Sequence, residues 1–144
     1  MNVLVDTSVW SLALRRKAGD LNSQERLLVD EWTRLVAEGR ARIIGLVRRE
    51  ALSGIKTDAQ FEALRDSLRA FADEPVDSED HETAAQAYNS CRSKGIAVSL
   101  TDMLICAVAQ RRGMAIFTTD PDFEKYAQVL PLKLHVVSGR QTIP

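Results

Sequence analysis

Four acidic residues stand where a folded chain can use them for chemistry. Asp6 ends the first apolar run of the sequence, and Asp120 ends a later one. Asp102 begins a segment that is apolar almost all round, and Glu50 comes shortly after a third short apolar run. In open α/β sheets, ligands bind at the carboxyl ends of the strands. We therefore expect the four carboxylates to meet in one pocket.

Four carboxylates in one pocket repel one another, which raises their pKa values unless a divalent cation is present. Neither histidine nor cysteine accompanies these acids, so a hard ion with oxygen ligands, Mg²⁺ or Mn²⁺, is favoured over zinc or copper. Such a site is suited to phosphodiester cleavage, because the ion acidifies a bound water and stabilises charge on the leaving oxygen. Arg48 and Arg49 are candidates for holding neighbouring phosphates.

Two of the acids also have purely structural explanations. Asp102 lies in the first turn of its predicted helix, where a carboxylate can act as a cap. Glu50 can be an exposed helical glutamate that pairs with Arg48, Arg49 or Lys56. The sequence leaves both alternatives open.

The position of each acid depends on alternating strands and helices. Short strands are predicted at 3–5, 42–45, 114–118 and 132–137. The first is continuously apolar, which is typical of a strand covered on both faces in a parallel sheet. Right-handed crossovers bring the carboxyl ends of such strands to one edge. We predict an α/β fold in which helices sandwich a parallel sheet.

Start and stop signals place helices between these strands. Asn22 with Glu25 and Thr57 with Gln60 have the spacing of capping boxes, and Pro121 suits the first position of a helix. The predicted helices cover residues 7–16, 22–38, 46–53, 57–71, 78–94, 99–112 and 121–126. The apolar face from Phe61 to Phe71 is a candidate partner surface, with burial in the protein's own core as the alternative.

Several other residues have ordinary structural interpretations. Trp10 and Trp32 are expected in the core, and the two cysteines, Cys91 and Cys106, are expected to be free thiols on buried helix faces. His81 lies in an acidic first turn, where solvent or a carboxylate explains it. The short basic clusters at 15–17, 48–49 and 111–112, each taken alone, are interpreted as solvated helix ends.

The overall composition favours one ordinary domain, spanning 1–144. The chain has 144 residues, 45% of them hydrophobic, which is enough for one substantial core. Its net charge of −1 does not by itself indicate a nucleic-acid-binding protein, although a local basic surface can still hold phosphates. The first apolar run is too short for a signal peptide or a membrane helix, so we expect a cytoplasmic protein without membrane contact.

At these residues the sequence resembles the PIN-domain ribonucleases, specifically the VapC toxins of bacterial and archaeal toxin-antitoxin pairs. The resemblance rests on four motifs in order over nearly the whole chain. They are Val5-Asp6-Thr7-Ser8, Arg49-Glu50-Ala51-Leu52-Ser53-Gly54, Thr101-Asp102 with its apolar helix, and Thr118-Thr119-Asp120-Pro121-Asp122-Phe123.

The resemblance implies a three-layer α/β/α PIN fold, dependence on Mg²⁺ or Mn²⁺, and endonucleolytic cleavage of single-stranded or loop RNA. It also implies a homodimer and a VapB-like antitoxin as partners. Carried over residue by residue, it makes metal-binding catalytic acids of Asp6, Glu50, Asp102 and Asp120, with Asp122, Thr7, Ser8 and Thr118 in auxiliary roles. The family cuts different RNAs, transfer and ribosomal RNA among them, and no motif here selects one.

Other kinds of protein also carry acids at the ends of strands. A non-catalytic RNA-binding regulator on a PIN scaffold is the main alternative, although every expected acid is present. A phosphoacceptor receiver domain usually opens with adjacent acids, whereas Asp6 stands alone. A haloacid-type phosphatase requires a second aspartate two residues after the first, and that position is Ser8.

Overall fold

A parallel sheet of three strands forms the centre of the computed structural model, which describes residues 1–137. Strand β1 (Val3–Val5) lies in the middle, between β2 (Ala41–Arg42) and β3 (Ala115–Phe117). Both neighbours run parallel to β1. The carboxyl ends of the three strands therefore lie at one edge, as the alternation of strands and helices predicts.

Helices cover both faces of the sheet. The three residues of β1 are fully buried, although successive side chains point to opposite faces of a strand. This is the predicted α/β/α arrangement. The helices of the described residues are α1 (Thr7–Leu14), α2 (Ser23–Ala37), α3 (Gly45–Leu52), α4 (Asp58–Leu68), α5 (Ser78–Ser93), α6 (Leu100–Arg112) and α7 (Asp122–Tyr126), with a short 3-10 turn at Ala18–Asp20.

Helix ends follow the predicted signals closely. Asn22 and Glu25 form a reciprocal capping box at the start of α2, and the Thr57 hydroxyl accepts a hydrogen bond from the Gln60 backbone at the start of α4. Helix α6 ends at Gly113, whose φ of 65° suits the left-handed region that glycine enters without a Cβ clash. The chain then passes directly into β3.

Aromatic rings join α1, α2 and the segment after α4. Trp10 is fully buried, and its ring centroid lies 5.6 Å from that of Trp32 and 4.8 Å from that of Phe71. Helix α4 also buries Leu68 in the core. The apolar face of α4 is therefore mainly the protein's own core, and the partner-surface interpretation was wrong except at Phe61, which is 36% exposed.

The prediction of a last strand at 132–137 was also wrong. Within 132–137 only Leu134 forms a bridge, to Ile116 of β3, and the segment does not extend into a ladder. Two backbone hydrogen bonds of 2.8 Å, which link Ile116 with Lys133 and His135, hold it at the sheet edge. Val136 is 79% exposed. The apolar pattern of the sequence therefore predicted a longer strand than the structure forms.

The basic pair at the end of α6 is not a solvated helix end. Arg111 and Arg112 both donate to the carboxylate of Asp80, which is completely buried at the start of α5. Cys91 and Cys106 are buried free thiols, as predicted. Among the helices of residues 1–137, none has the length and apolar content needed to cross a membrane.

Candidate active site

Asp6 lies at the carboxyl end of β1 and is 6% exposed. Its backbone N–H donates to the Phe117 carbonyl of β3 at 2.8 Å. One oxygen of its carboxylate, Oδ2, accepts two hydrogen bonds of 2.8 Å, from the hydroxyls of Ser8 and Thr118. The ends of two neighbouring strands are thus joined at this side chain.

Asp120 follows β3 and belongs to the same network. Its backbone N–H donates to the Thr118 hydroxyl at 3.0 Å, and its Oδ1 accepts from the Asp122 backbone at 2.9 Å. Asp122 therefore contributes its backbone here, while its own carboxylate lies 3.6 Å from the ammonium of Lys125. Thr118 links Asp120 to Asp6 through a single hydroxyl.

Glu50 reaches the site from α3. The Thr7 hydroxyl, next to Asp6 in the chain, donates to Glu50 Oε1 at 2.8 Å. Within the described residues, no ion pair joins Glu50 to Arg48, Arg49 or Lys56. Its half-buried carboxylate therefore belongs with Asp6 and is not part of an exposed helical ion pair.

Asp102 begins α6, but the helix does not need its carboxylate as a cap. The Ser99 hydroxyl is the cap and accepts the Asp102 backbone N–H at 3.0 Å. The Asp102 carboxylate instead accepts a hydrogen bond of 2.7 Å from the hydroxyl of Tyr126, a residue of α7 that is 1% exposed. The capping alternative for this side chain is thereby excluded.

The pKa of Asp102 shows that it lies near Asp6 and Asp120. Burial raises its pKa, and the negative charges of Asp6 and Asp120 raise it further, although the Tyr126 hydrogen bond opposes them. Burial and the neighbouring Asp102 carboxylate raise the pKa of Tyr126 in turn, so its phenol stays protonated as a donor. We call Asp6, Glu50, Asp102 and Asp120 the acid cluster.

The acid cluster has the chemistry of a site for a hard cation. Among residues 1–137, no basic group lies within 4 Å of any of the four carboxylates. In that part of the chain each carboxylate also keeps one oxygen free of hydrogen bonds. Burial without a cation is costly for carboxylates, so these residues fit Mg²⁺ or Mn²⁺.

The described residues contain no ready cage of three or more ligating side chains. Mg²⁺ does not require one, since it is commonly held by one or two carboxylates and keeps several waters. The assignment of the acid cluster as a metal site stays a prediction.

The role predicted for Arg48 was wrong. Its guanidinium donates to the backbone carbonyls of Leu68 and Phe71 and to the carboxylate of Asp73. It therefore fastens α3 to the segment after α4 and is not available for phosphates. Arg49 is exposed, and a phosphate contact there stays a prediction.

Tyr126 is the site residue that sequence reasoning missed. Nothing in its immediate sequence marks it, because its partner Asp102 is 24 residues away. The one available signal was its place in the same short helix that begins beside Asp120 and Asp122.

Known proteins resemble this chain over most of its length. A family model described as the PIN domain matches residues 3–129. The chain is 32% identical over 135 residues to VapC ribonuclease Mb1587 of Mycobacterium bovis, covering 91% of this chain and 96% of that protein. The same figures hold for ribonuclease VapC11 of Mycobacterium tuberculosis.

Solved structures resemble the fold over most of its length. FitAcB of Neisseria gonorrhoeae matches with a TM-score of 0.73 at 19% identity and covers 95% of this chain and 99% of its own. VapBC2 of Rickettsia felis, bound to a promoter DNA fragment, matches with a TM-score of 0.70 at 16% identity, covering 94% and 98%. VapBC-5 of Mycobacterium tuberculosis matches with a TM-score of 0.64 at 21% identity, covering 93% and 98%.

Proposed function

The chain belongs to the PIN-domain family, and from that premise we propose that it is a VapC-type ribonuclease, the toxin of a toxin-antitoxin pair. The observation that carries the proposal is the acid cluster. Asp6 and Asp120 lie close enough to raise the pKa of Asp102, and in the described chain no basic side chain within 4 Å neutralises any of the three. A protein keeps such repulsion where a cation and a phosphodiester are to be bound.

The reaction we propose is endonucleolytic hydrolysis of single-stranded or loop RNA, dependent on Mg²⁺ or Mn²⁺. Asp6, Glu50, Asp102 and Asp120 would hold the ion through their free oxygens. When bound, the ion acidifies the attacking water and stabilises charge on the leaving oxygen.

The protein's own groups prepare the acids for this role. Hydroxyls of Ser8 and Thr118 fix the carboxylate of Asp6, and the Thr7 hydroxyl fixes Glu50. Charge-assisted hydrogen bonds of this kind are short and directional. They hold the two carboxylates in fixed orientations, each with one oxygen free of hydrogen bonds within the described chain.

We propose a VapB-like antitoxin and a second copy of the chain as partners, and the cytoplasm as the place of action. The structural neighbours include VapBC assemblies, which supports an antitoxin. The homodimer rests on the family resemblance alone.

An Asp6→Asn substitution tests the function. We expect it to lower RNA cleavage by more than the 10- to 100-fold typical of losing a residue that only orients a metal ligand. Asparagine can still accept hydrogen bonds from Ser8 and Thr118, so the fold should persist by circular dichroism.

Cleavage is measured by incubating purified protein with RNA in Mg²⁺ or Mn²⁺. In a second experiment, the protein is expressed briefly in cells and the new RNA ends are sequenced. Asp66→Asn, a change of the same type on an exposed residue of α4, is the control. Full cleavage by the Asp6→Asn protein would overturn the proposed function.

A further inference from the structure

A groove of about 450 Å³ follows α1 and adjoins the acid cluster through two of its lining residues, Ser8 and Thr119, although none of the four acids lines it. Ser8, which donates to Asp6, lines it together with Ser11 and Arg15. These residues are three and four positions apart, so they form one face of the helix. With a rise of 1.5 Å per residue, Arg15 lies about 10 Å along the helix axis from Ser8. We call this the α1 groove.

The outer part of the α1 groove carries two arginines and one acid, Glu25. Arg15 is exposed, and among residues 1–137 no carboxylate lies within 4 Å of its guanidinium. Arg16 also lines the groove and lies 3.6 Å from Glu25. Because the Arg16 side chain is 49% exposed, this ion pair contributes little and can yield to another anion.

A second groove of about 770 Å³ is lined by one member of the acid cluster and differs from the α1 groove in its charges. Asp120 and Glu124 line it together with apolar residues such as Leu27 and Leu134. None of the described residues that line it is lysine or arginine. The two grooves share Leu28 and Thr119, so they are alternative exits from one site, and only the α1 groove suits a polyanion.

We propose that the α1 groove binds the RNA backbone next to the bond that is cleaved, with Arg15 as the principal phosphate contact and Arg16 as the second. The assignment rests on the proposed ribonuclease function and specifies the path of its substrate. Arginine suits this role because its guanidinium forms two parallel hydrogen bonds with a phosphate. Contacts to phosphates position the strand without reading its sequence.

RNA affinity tests the assignment directly. All proteins carry Asp6→Asn so that the RNA stays intact, and binding of a labelled single-stranded RNA is followed by fluorescence anisotropy at several salt concentrations. We expect Arg15→Gln to weaken binding about ten-fold, the loss of one charge-assisted contact. The slope of log affinity against log salt should fall by about 0.7, one phosphate contact on a single strand.

Arg69→Gln is the matched control, because Arg69 is 67% exposed at the end of α4 and does not line the α1 groove. Arg15→Lys should recover part of the affinity, since the charge remains. In an otherwise unchanged protein, Arg15→Gln should raise KM for RNA and leave kcat nearly unaltered.

The outcomes separate this assignment from the proposed function. If Arg15→Gln and Arg69→Gln bind RNA with equal affinity and equal salt slope while the unchanged protein cleaves RNA, the α1 groove is not the RNA path. If the unchanged protein neither binds nor cleaves any RNA, the proposed ribonuclease function fails and this assignment fails with it.

Discussion

Hydroxyl groups hold three of the four acids in place. Thr7 donates to Glu50, Ser8 and Thr118 donate to Asp6, and Tyr126 donates to Asp102. In each case a single carboxylate oxygen accepts the hydrogen bonds formed within residues 1–137, so the other oxygen is available to a ligand. The hydroxyls therefore fix the direction in which each acid faces.

The resemblance assigns auxiliary roles to Thr7, Ser8 and Thr118, which lie within two residues of an acid, and assigns none to Tyr126. Local sequence does not give their partners, since the Thr7 hydroxyl donates to Glu50, 43 residues away. Tyr126 reaches Asp102 only because α7 packs beside the start of α6. Contacts of that kind depend on tertiary packing, which is also why the inward role of Arg48 was missed.

The Tyr126 hydroxyl gives a prediction at the residue scale. Tyr126→Phe keeps the ring and its contact with Phe123, at 5.2 Å between centroids, but removes the donor to Asp102. The pKa of Asp102 should then rise further, because that hydrogen bond is the larger of the two that lower it, the other coming from Ser99. We expect RNA cleavage at neutral pH to fall about 10-fold and the acid limb of the pH–rate profile to move to higher pH.

Tyr88→Phe is the matched control, since Tyr88 is half-buried and its hydroxyl has no hydrogen-bond partner in the described chain. A uniform loss of activity at every pH in Tyr126→Phe would indicate a purely structural tyrosine and contradict the prediction.

At the scale of elements, a buried ion pair fastens α5 to α6. Asp80 sits in the first turn of α5 and also forms a capping box with Asp77. Its carboxylate accepts from Arg111 at 2.7 Å and from Arg112 at 2.8 Å, both at the end of α6. The two arginines, Arg112 foremost, hold the pKa of Asp80 well below its usual range, although burial opposes them.

An acidic first turn is a capping signal that the sequence alone displays, and Asp77 and Asp80 form a capping box at the start of α5. The partner of Asp80 lies more than thirty residues away, so the sequence pattern could not reveal that one carboxylate caps α5 and also anchors α6. Since Asp102 begins α6, this contact supports the acid cluster from a distance.

Asp80→Asn should destabilise the protein by about 3 kcal/mol, because removing the buried carboxylate leaves Arg112 without its carboxylate partner in the described chain. Urea unfolding near neutral pH measures the loss. Asp66→Asn, which removes an exposed partner of Arg65, should cost less than about 1 kcal/mol. An equally small loss for both variants would show that the Asp80 contact does not stabilise the fold.

The contribution of Asp80 to the free energy of unfolding should depend on pH in a defined direction. An aspartate with a lowered pKa in the folded state stabilises above its unfolded pKa, near 3.9, and loses that contribution as pH falls through the lower folded value. The advantage of the unchanged protein over Asp80→Asn should therefore be full near neutral pH and shrink below about pH 4. Urea midpoints measured across this range check it.

At the scale of the whole molecule, charge is sorted around the acid cluster although the net charge is only −1. The α1 groove is lined by Arg15, Arg16 and Glu25, and the other groove is lined by Asp120 and Glu124. The sequence could predict the parallel sheet and its acidic edge from apolar runs that each end on an acid. It could not predict which basic cluster faces that edge, because this depends on how α1 and α2 pack.

Repulsion in the acid cluster links metal binding to the stability of the whole fold. Because the pKa of Asp102 is raised in the folded state, its ionised form destabilises the protein increasingly as pH rises through that pKa. In EDTA at neutral pH, Asp102→Asn should therefore be at least as stable as the unchanged protein. Mg²⁺ should raise the Tm of the unchanged protein, by an amount that corresponds to about 2.7 kcal/mol at 100 times Kd.

The Asp102→Asn protein should show a much smaller shift, because one ligand and one negative charge are missing. Differential scanning calorimetry without RNA measures both effects, and NaCl at matched ionic strength serves as the control for screening. Catalysis does not enter this measurement, so it tests the ion separately from the cleavage reaction. Equal Mg²⁺-dependent shifts of Tm in the two proteins would mean that the ion binds elsewhere and that the raised pKa of Asp102 is unrelated to metal binding.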